Sequence, residues 1–175
     1  GTEAHAIGDY LRSLMQREEV VTATKDWRIL EEDRSLSTLE NLVFAQQLIQ
    51  SHKLQGQVAI FCEATRQERV HVVASKIFDS SVVVEAIDFD HSKNRYLNPD
   101  MLHKKEAAET EQSFWVLEDP ERLKAHHAFF EQKLAFLRQK QHEGLSHVDA
   151  VAEWFRVAPA LLATTMPTSP SSKEK

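Results

Sequence analysis

Between residues 32 and 41 the chain places three carboxylates (Glu32, Asp33, Glu40), three hydroxyls (Ser35, Ser37, Thr38) and one carboxamide (Asn41). Carboxylates can take or give a proton to a reacting group, and hydroxyls and amides can hold the oxygens of a polar ligand. Glu32, Asp33 and Glu40 are therefore the candidate acid–base residues, and Ser35, Ser37, Thr38 and Asn41 the candidate ligand-binding ones. Ser37 and Glu40 also have the spacing of a capping box, in which each side chain satisfies a backbone N–H of a helix's first turn. Capping explains those two residues but not Glu32, Asp33, Ser35 and Asn41. A second group follows at Thr65, Arg66 and Arg69, where two guanidiniums accompany a helix start whose amide N–H groups suit an anion. Together the two groups suit a polar ligand carrying phosphate-like and hydroxyl or amine functions.

The elements that must position these groups read as α-β-α-β-α-β. Ala4, Ile7, Leu11, Leu14 and Met15 recur at helical spacing over residues 3–16. A polar connection leads to a short strand at Trp27–Glu31. Leu39, Leu42, Val43, Ala45, Leu48 and Ile49 make a second helix over residues 37–52, with Gly56 in the turn after it. Gln57–Cys62 is a buried strand. Residues 66–78 form a helix on Val70, Val73, Ala74, Ile77 and Phe78, and Val82–Ile87 is a third strand. The simplest arrangement is a parallel sheet with right-handed crossovers, which brings the three strand ends and both helix starts to one edge. Open α/β proteins bind ligands at that edge.

Past residue 91 the chain becomes polar and helical. Residues 100–112 read as a helix, and Asp119-Pro120 opens a long helix to about Gln141 that Gly144 closes. His147–Phe155 and Pro159–Met166 read as two short helices. The Ser- and Pro-rich residues 167–175 read as a disordered tail. The expected organisation is an α/β domain at 1–97, a helical extension packed on it at 98–166, and that tail.

A net charge of -6 argues against duplex DNA or an anionic membrane as partner. The helix-turn-helix phrasing from Val148 to Leu162 lacks Arg, Lys, Asn or Gln in its second helix and reads as a packing motif. No apolar run is long enough to span a bilayer, and residues 1–5 carry no signal-peptide pattern, which fits a cytosolic or organellar setting. Cys62 is the only cysteine and reads as a small buried hydrophobe. Asp88, Asp90 and His91 with Glu85 read as solvated loop residues and not a Mg²⁺ site. His126 and His127 point in different directions along a helix, cannot share a metal, and read as surface and core-edge residues. No metal and no particular cofactor is indicated. Leu123, Phe130, Leu134 and Leu137 stripe the long helix and serve either the chain's own core or a partner.

Three stretches resemble the YdcF-like family, which includes SanA- and ElyC-type proteins. Glu3-Ala4 is similar to that family's Glu–Ala helix. The run Glu32-Asp33-Arg34-Ser35-Leu36-Ser37-Thr38-Leu39-Glu40-Asn41 resembles its acidic–Ser–Thr–Glu–Asn signature. Val58-Ala59-Ile60-Phe61 followed by Thr65, Gln67 and Arg69 resembles its next strand and helix start. The resemblance covers about residues 3–90 and implies a Rossmann-like three-layer sandwich that binds a small phosphorylated or nucleotide-like ligand. It adds Glu3 to the ligand-binding set, and hydrolysis or group transfer is the chemistry that would follow. The family pattern also has strands and a glycine-rich turn before its Glu–Ala helix. The expectation is that such strands come from sequence before Gly1 or from an associated chain. The alternative is a non-catalytic interaction module that uses the C-terminal helices.

Overall fold

Several of the described helices begin at a side chain that caps them. The computed structural model describes residues 2–78, 82–88 and 99–165. Among them the order is α1 (Glu3–Met15), α2 (Glu18–Thr24), α3 (Thr38–Ser51), β1 (Val58–Glu63), α4 (Gln67–Ile77), β2 (Val82–Ile87), α5 (Pro99–Leu117), α6 (Pro120–His142) and α7 (His147–Thr165). Thr2 caps α1 by accepting from the His5 amide at 3.3 Å, and Ser37 caps α3 by accepting from the Glu40 amide at 3.2 Å. Asp119 accepts from the Glu121 amide at 2.9 Å ahead of α6. These side chains occupy amide donors that a helix start otherwise leaves unpaired.

The described residues are mostly helical, with one small parallel sheet. β1 and β2 pair from Val58↔Val82 to Glu63↔Ile87, and α4 makes the crossover between them. One face of the pair, carrying Val58, Ile60, Cys62, Val82 and Val84, packs on a core of Leu39, Leu42, Val70, Val73, Ala74, Phe78 and Val116. Among the described residues the other face is open, and Phe61 on it is 67% exposed.

The chain divides into two units, Gly1–His127 and Ala128–Lys175. The first holds the sheet and extends past residue 97, because Phe114, Val116 and Leu117 of α5 and Leu123 of α6 join its core. The second is built on Leu137, Ala150, Trp154 and Ala158. There the Trp154 ring lies 5.7 Å from Phe129 and 5.4 Å from Phe136, within the range of favourable edge and tilted packing.

Four local expectations change. Trp27–Glu31 is not a strand: residues 27–36 carry no regular secondary structure. Only Ile29 and Leu30 offer apolar surface, Trp27 is exposed, and the amides that follow are taken by side chains rather than by a neighbouring strand. The polar connection after α1 contains α2, opened by Glu18 and Glu19, whose charge suits a helix start. Residues 147–165 form one helix through Pro159 instead of two. Proline's fixed φ is compatible with a helix, so the chain gives up one hydrogen bond and keeps the face that buries Ala150, Trp154 and Ala158. The left-handed residue that ends α3 is Lys53 at φ 54°, not Gly56. The Leu54 amide then reaches the Ile49 carbonyl at 3.0 Å. Gly144, at φ +94°, closes α6 as expected, and the Leu145 amide donates to Lys140 at 3.0 Å. Asp90, His91 and residues 167–175 lie outside the described residues.

The burial pattern separates two apolar substitutions. Leu39→Ala should cost about 2–5 kcal/mol in urea unfolding followed by circular dichroism. Phe61→Ala on the open sheet face should change stability by less than about 1 kcal/mol.

Candidate functional site

The sequence cluster at residues 31–41 divides into a buried half and an open half. Glu40 is 0% exposed. Its Oε2 accepts from the Leu36 amide at 2.7 Å and lies 3.2 Å from His127 Nδ1. The carboxylate therefore reaches one residue further back than the usual capping box and fastens the entering chain to the first turn of α3. From this position Glu40 holds the structure and presents no surface to a ligand, so the acid–base role expected of it has no route. Ser37 sits beside it, half-buried, with its Oγ 3.0 Å from His126 Nε2.

The open half is preorganised. Glu32 accepts from the amides of Arg34 at 2.8 Å and Ser35 at 3.3 Å, so its carboxylate shapes the turn into α3. The Ser35 hydroxyl donates to Asn41 Oδ1. Asp33 and Asn41 are exposed and Thr38 is half-buried. Arg34 lies 4.6 Å over the ring of Phe44, which is also on α3.

Glu31, one residue upstream, anchors α1. Its carboxylate lies 3.0 Å from His5 Nδ1 and accepts from Arg12 at 2.5 Å. Gly8 makes this possible, because a Cβ there would sit 2.5 Å from Glu31 Oε1. Glu3 is exposed in the first turn of the same helix, so this anchor sets its place relative to residues 31–36.

Thr65, Arg66 and Arg69 follow β1. Thr65 and Arg66 form a single 3-10 turn with Ala64, and α4 then opens without a side-chain cap. Arg66 is exposed, with Glu63 at 3.4 Å. Arg69 is only 6% exposed and already paired: it donates to Glu106 at 2.6 and 3.3 Å and lies 3.0 Å from Glu109, both on α5. A guanidinium held by two carboxylates is not free for the anionic group expected of it, so the exposed cation here is Arg66. Thr65 and Arg69 line a hollow of about 470 Å³ with Glu68, Val72, Leu102, His103, Glu106, Ala107, Thr110 and Glu111.

Cys62 faces the core, and burial pushes its thiol pKa up, which disfavours the thiolate. Among the described residues no three His, Cys, Asp or Glu side chains are grouped to hold a metal ion, and no helix is long and apolar enough to cross a membrane. Sequence reasoning missed Glu106 and Glu109; it read His126 and His127 as surface and core-edge residues, and the fold adds their contacts with Ser37 and Glu40. The i, i+3 spacing of Glu106 and Glu109 puts both carboxylates on one helix face, but only the fold shows that Arg69 meets it. No family model, curated protein or solved structure matches the chain.

The α1 anchor has a defined pH window. The hydrogen bond to Glu31, then the charge of Asp9, raises the His5 pKa above its ordinary 6.5. The hydrogen bonds of His5, then Arg12, lower Glu31 below its ordinary 4.5. The His5 contribution is complete below pH 6.5 and is lost as pH rises through the raised pKa. The Glu31 contribution is complete above pH 4.5 and is lost as pH falls through the lowered one. Ring-proton NMR should find His5 titrating above 6.5, and Glu31→Gln should bring it back toward 6.5.

Proposed function

We propose that residues 3–90 belong to a YdcF-like, Rossmann-like domain that binds a small phosphorylated or nucleotide-like ligand. The carrying observation is the parallel β1–α4–β2 unit, in which the 3-10 turn Ala64–Arg66 leads from the carboxyl end of β1 into α4 and neither the turn nor the helix takes a side-chain cap. The amide N–H groups of that turn, Thr65 and the exposed Arg66 are the groups an anion needs. Ser35, Thr38 and Asn41 at the start of α3 supply acceptors and donors for hydroxyl or amine groups, and Glu3 stands on the helix that Glu31 anchors. Glu32 is committed to the Arg34 and Ser35 amides, so Asp33 is the carboxylate left for general-base work, and hydrolysis or group transfer is the chemistry it would support.

The fuller three-layer sandwich belongs to the same proposal, with its further strands supplied by more of this chain or by an associated chain. Its support is that β1 has a strand partner on only one edge among the described residues, with Phe61 exposed beside it. An added strand would satisfy the unpaired edge by ordinary backbone hydrogen bonding.

A thermal-shift screen of nucleotides, sugar phosphates and S-adenosylmethionine at millimolar concentration tests the reading. A ligand at a hundred times its Kd adds about 2.7 kcal/mol of stability. Arg66→Gln should weaken that gain, and stabilisation by none of these ligands overturns the proposal. Arg69 is the poorer probe, because removing one partner of a buried ion pair costs about 3–5 kcal/mol by itself.

The second reading, an interaction module, has one observation in its favour: Val148 and Phe155, seven residues apart on α7, are both exposed. Deleting residues 98–175 bears on it. Phe114, Val116, Leu117 and Leu123 belong to the first core, so the truncated chain should precipitate. A soluble, folded remainder would favour the interaction role.

A further inference from the structure

We propose that the contact between His126 and Ser37 is a pH-sensitive clasp, which fastens the start of α6 over the cap of α3 and opens on acidification. The two side chains lie 3.0 Å apart although 89 positions separate them in sequence. Ser37 Oγ already accepts from the Glu40 amide at 3.2 Å. The hydroxyl still has its hydrogen to give, and it donates to His126 Nε2 when the neutral ring carries its own proton on Nδ1. A protonated ring reverses the arrangement: both Nε2 and the Glu40 amide then donate to one oxygen, and the hydroxyl hydrogen loses its partner.

Close to the contact is Glu40, which has no solvent exposure and whose Oε1 accepts no hydrogen bond among the described residues. The titratable groups facing His126 are Glu40 on α3, Glu109 on α5 and His127 on its own helix. The two carboxylates favour the charged ring, while burial and His127 oppose it. Burial is the largest effect, and the His126 pKa is lowered from 6.5. The clasp is therefore fully present above pH 6.5 and is lost as pH falls through the lowered pKa. His127 takes no part in the switch, because its contact is with Glu40 Oε2.

The test is amide hydrogen exchange of Leu39, Glu40 and Asn41 in the full chain between pH 7.5 and 5, corrected for intrinsic rates. Protection of these amides should fall by up to about tenfold per pH unit below the His126 midpoint, the limit for one linked proton. His126→Gln, which keeps a polar group near the Nε2 position without titrating there, should flatten that response. His127→Gln should leave the response in place. A pH response unchanged in His126→Gln overturns the clasp. If that variant does not fold, ring-proton NMR of the unsubstituted chain decides: a His126 midpoint below 6.5 that coincides with loss of protection supports the clasp, and a midpoint at or above 6.5 overturns it.

Discussion

The first unit depends on how it accommodates the carboxylate of Glu40. A carboxylate without solvent must be hydrogen-bonded or paired, or its burial costs several kcal/mol. Here the Leu36 amide and the His127 ring lie against Oε2, so one side chain ties together the entering chain, the first turn of α3 and the start of α6. Leu39 and Leu42 from the same helix then reach the apolar core. The polar junction and the hydrophobic core are thus two faces of one helix start.

A comparable tie holds the other end of that core. Arg69 on α4 is buried between Glu106 and Glu109 of α5, while Val70, Val73 and Ala74 on the same helix pack under the sheet. The ion pairs fix how α5 lies along α4, and the small sheet gains its cover from that packing. Among the described residues the opposite sheet face has no such cover, and Ala59, Phe61 and Ile87 are exposed. Two strands covered on one face are marginal alone, and the helices supply most of the buried surface.

These ties sort the polar residues into two kinds. Glu31 is held by His5 and Arg12, Glu40 lies against the Leu36 amide and the His127 ring, and Arg69 is paired with Glu106 and Glu109. Glu32 spends its carboxylate on two amides and so fixes a turn. What stays open is a smaller set, with Asp33 and Asn41 at one helix start and Arg66 at the next. A site of this kind is preorganised, because the residues behind it are already locked by partners.

The sequence alone determined the features set by neighbours along the chain. Ser37 with Glu40, Asp119 with Pro120, and Gly144 mark helix ends through bonds a few residues long, and apolar spacing placed α1, α3, α4, β1 and β2. The same spacing could not show that Trp27–Glu31 lacks a strand partner, since a strand exists only by pairing with a distant segment. Nor could it show that Pro159 lies within a helix whose buried face outweighs one missing hydrogen bond. At the candidate site, residue type singled out the cluster around Glu32–Asn41. Tertiary structure decided which members are structural, because burial and pairing depend on groups far away in sequence. His127 reaches Glu40 across 87 residues and Glu106 reaches Arg69 across 37, so only packing of α5 and α6 against α3 and α4 assigns those charges.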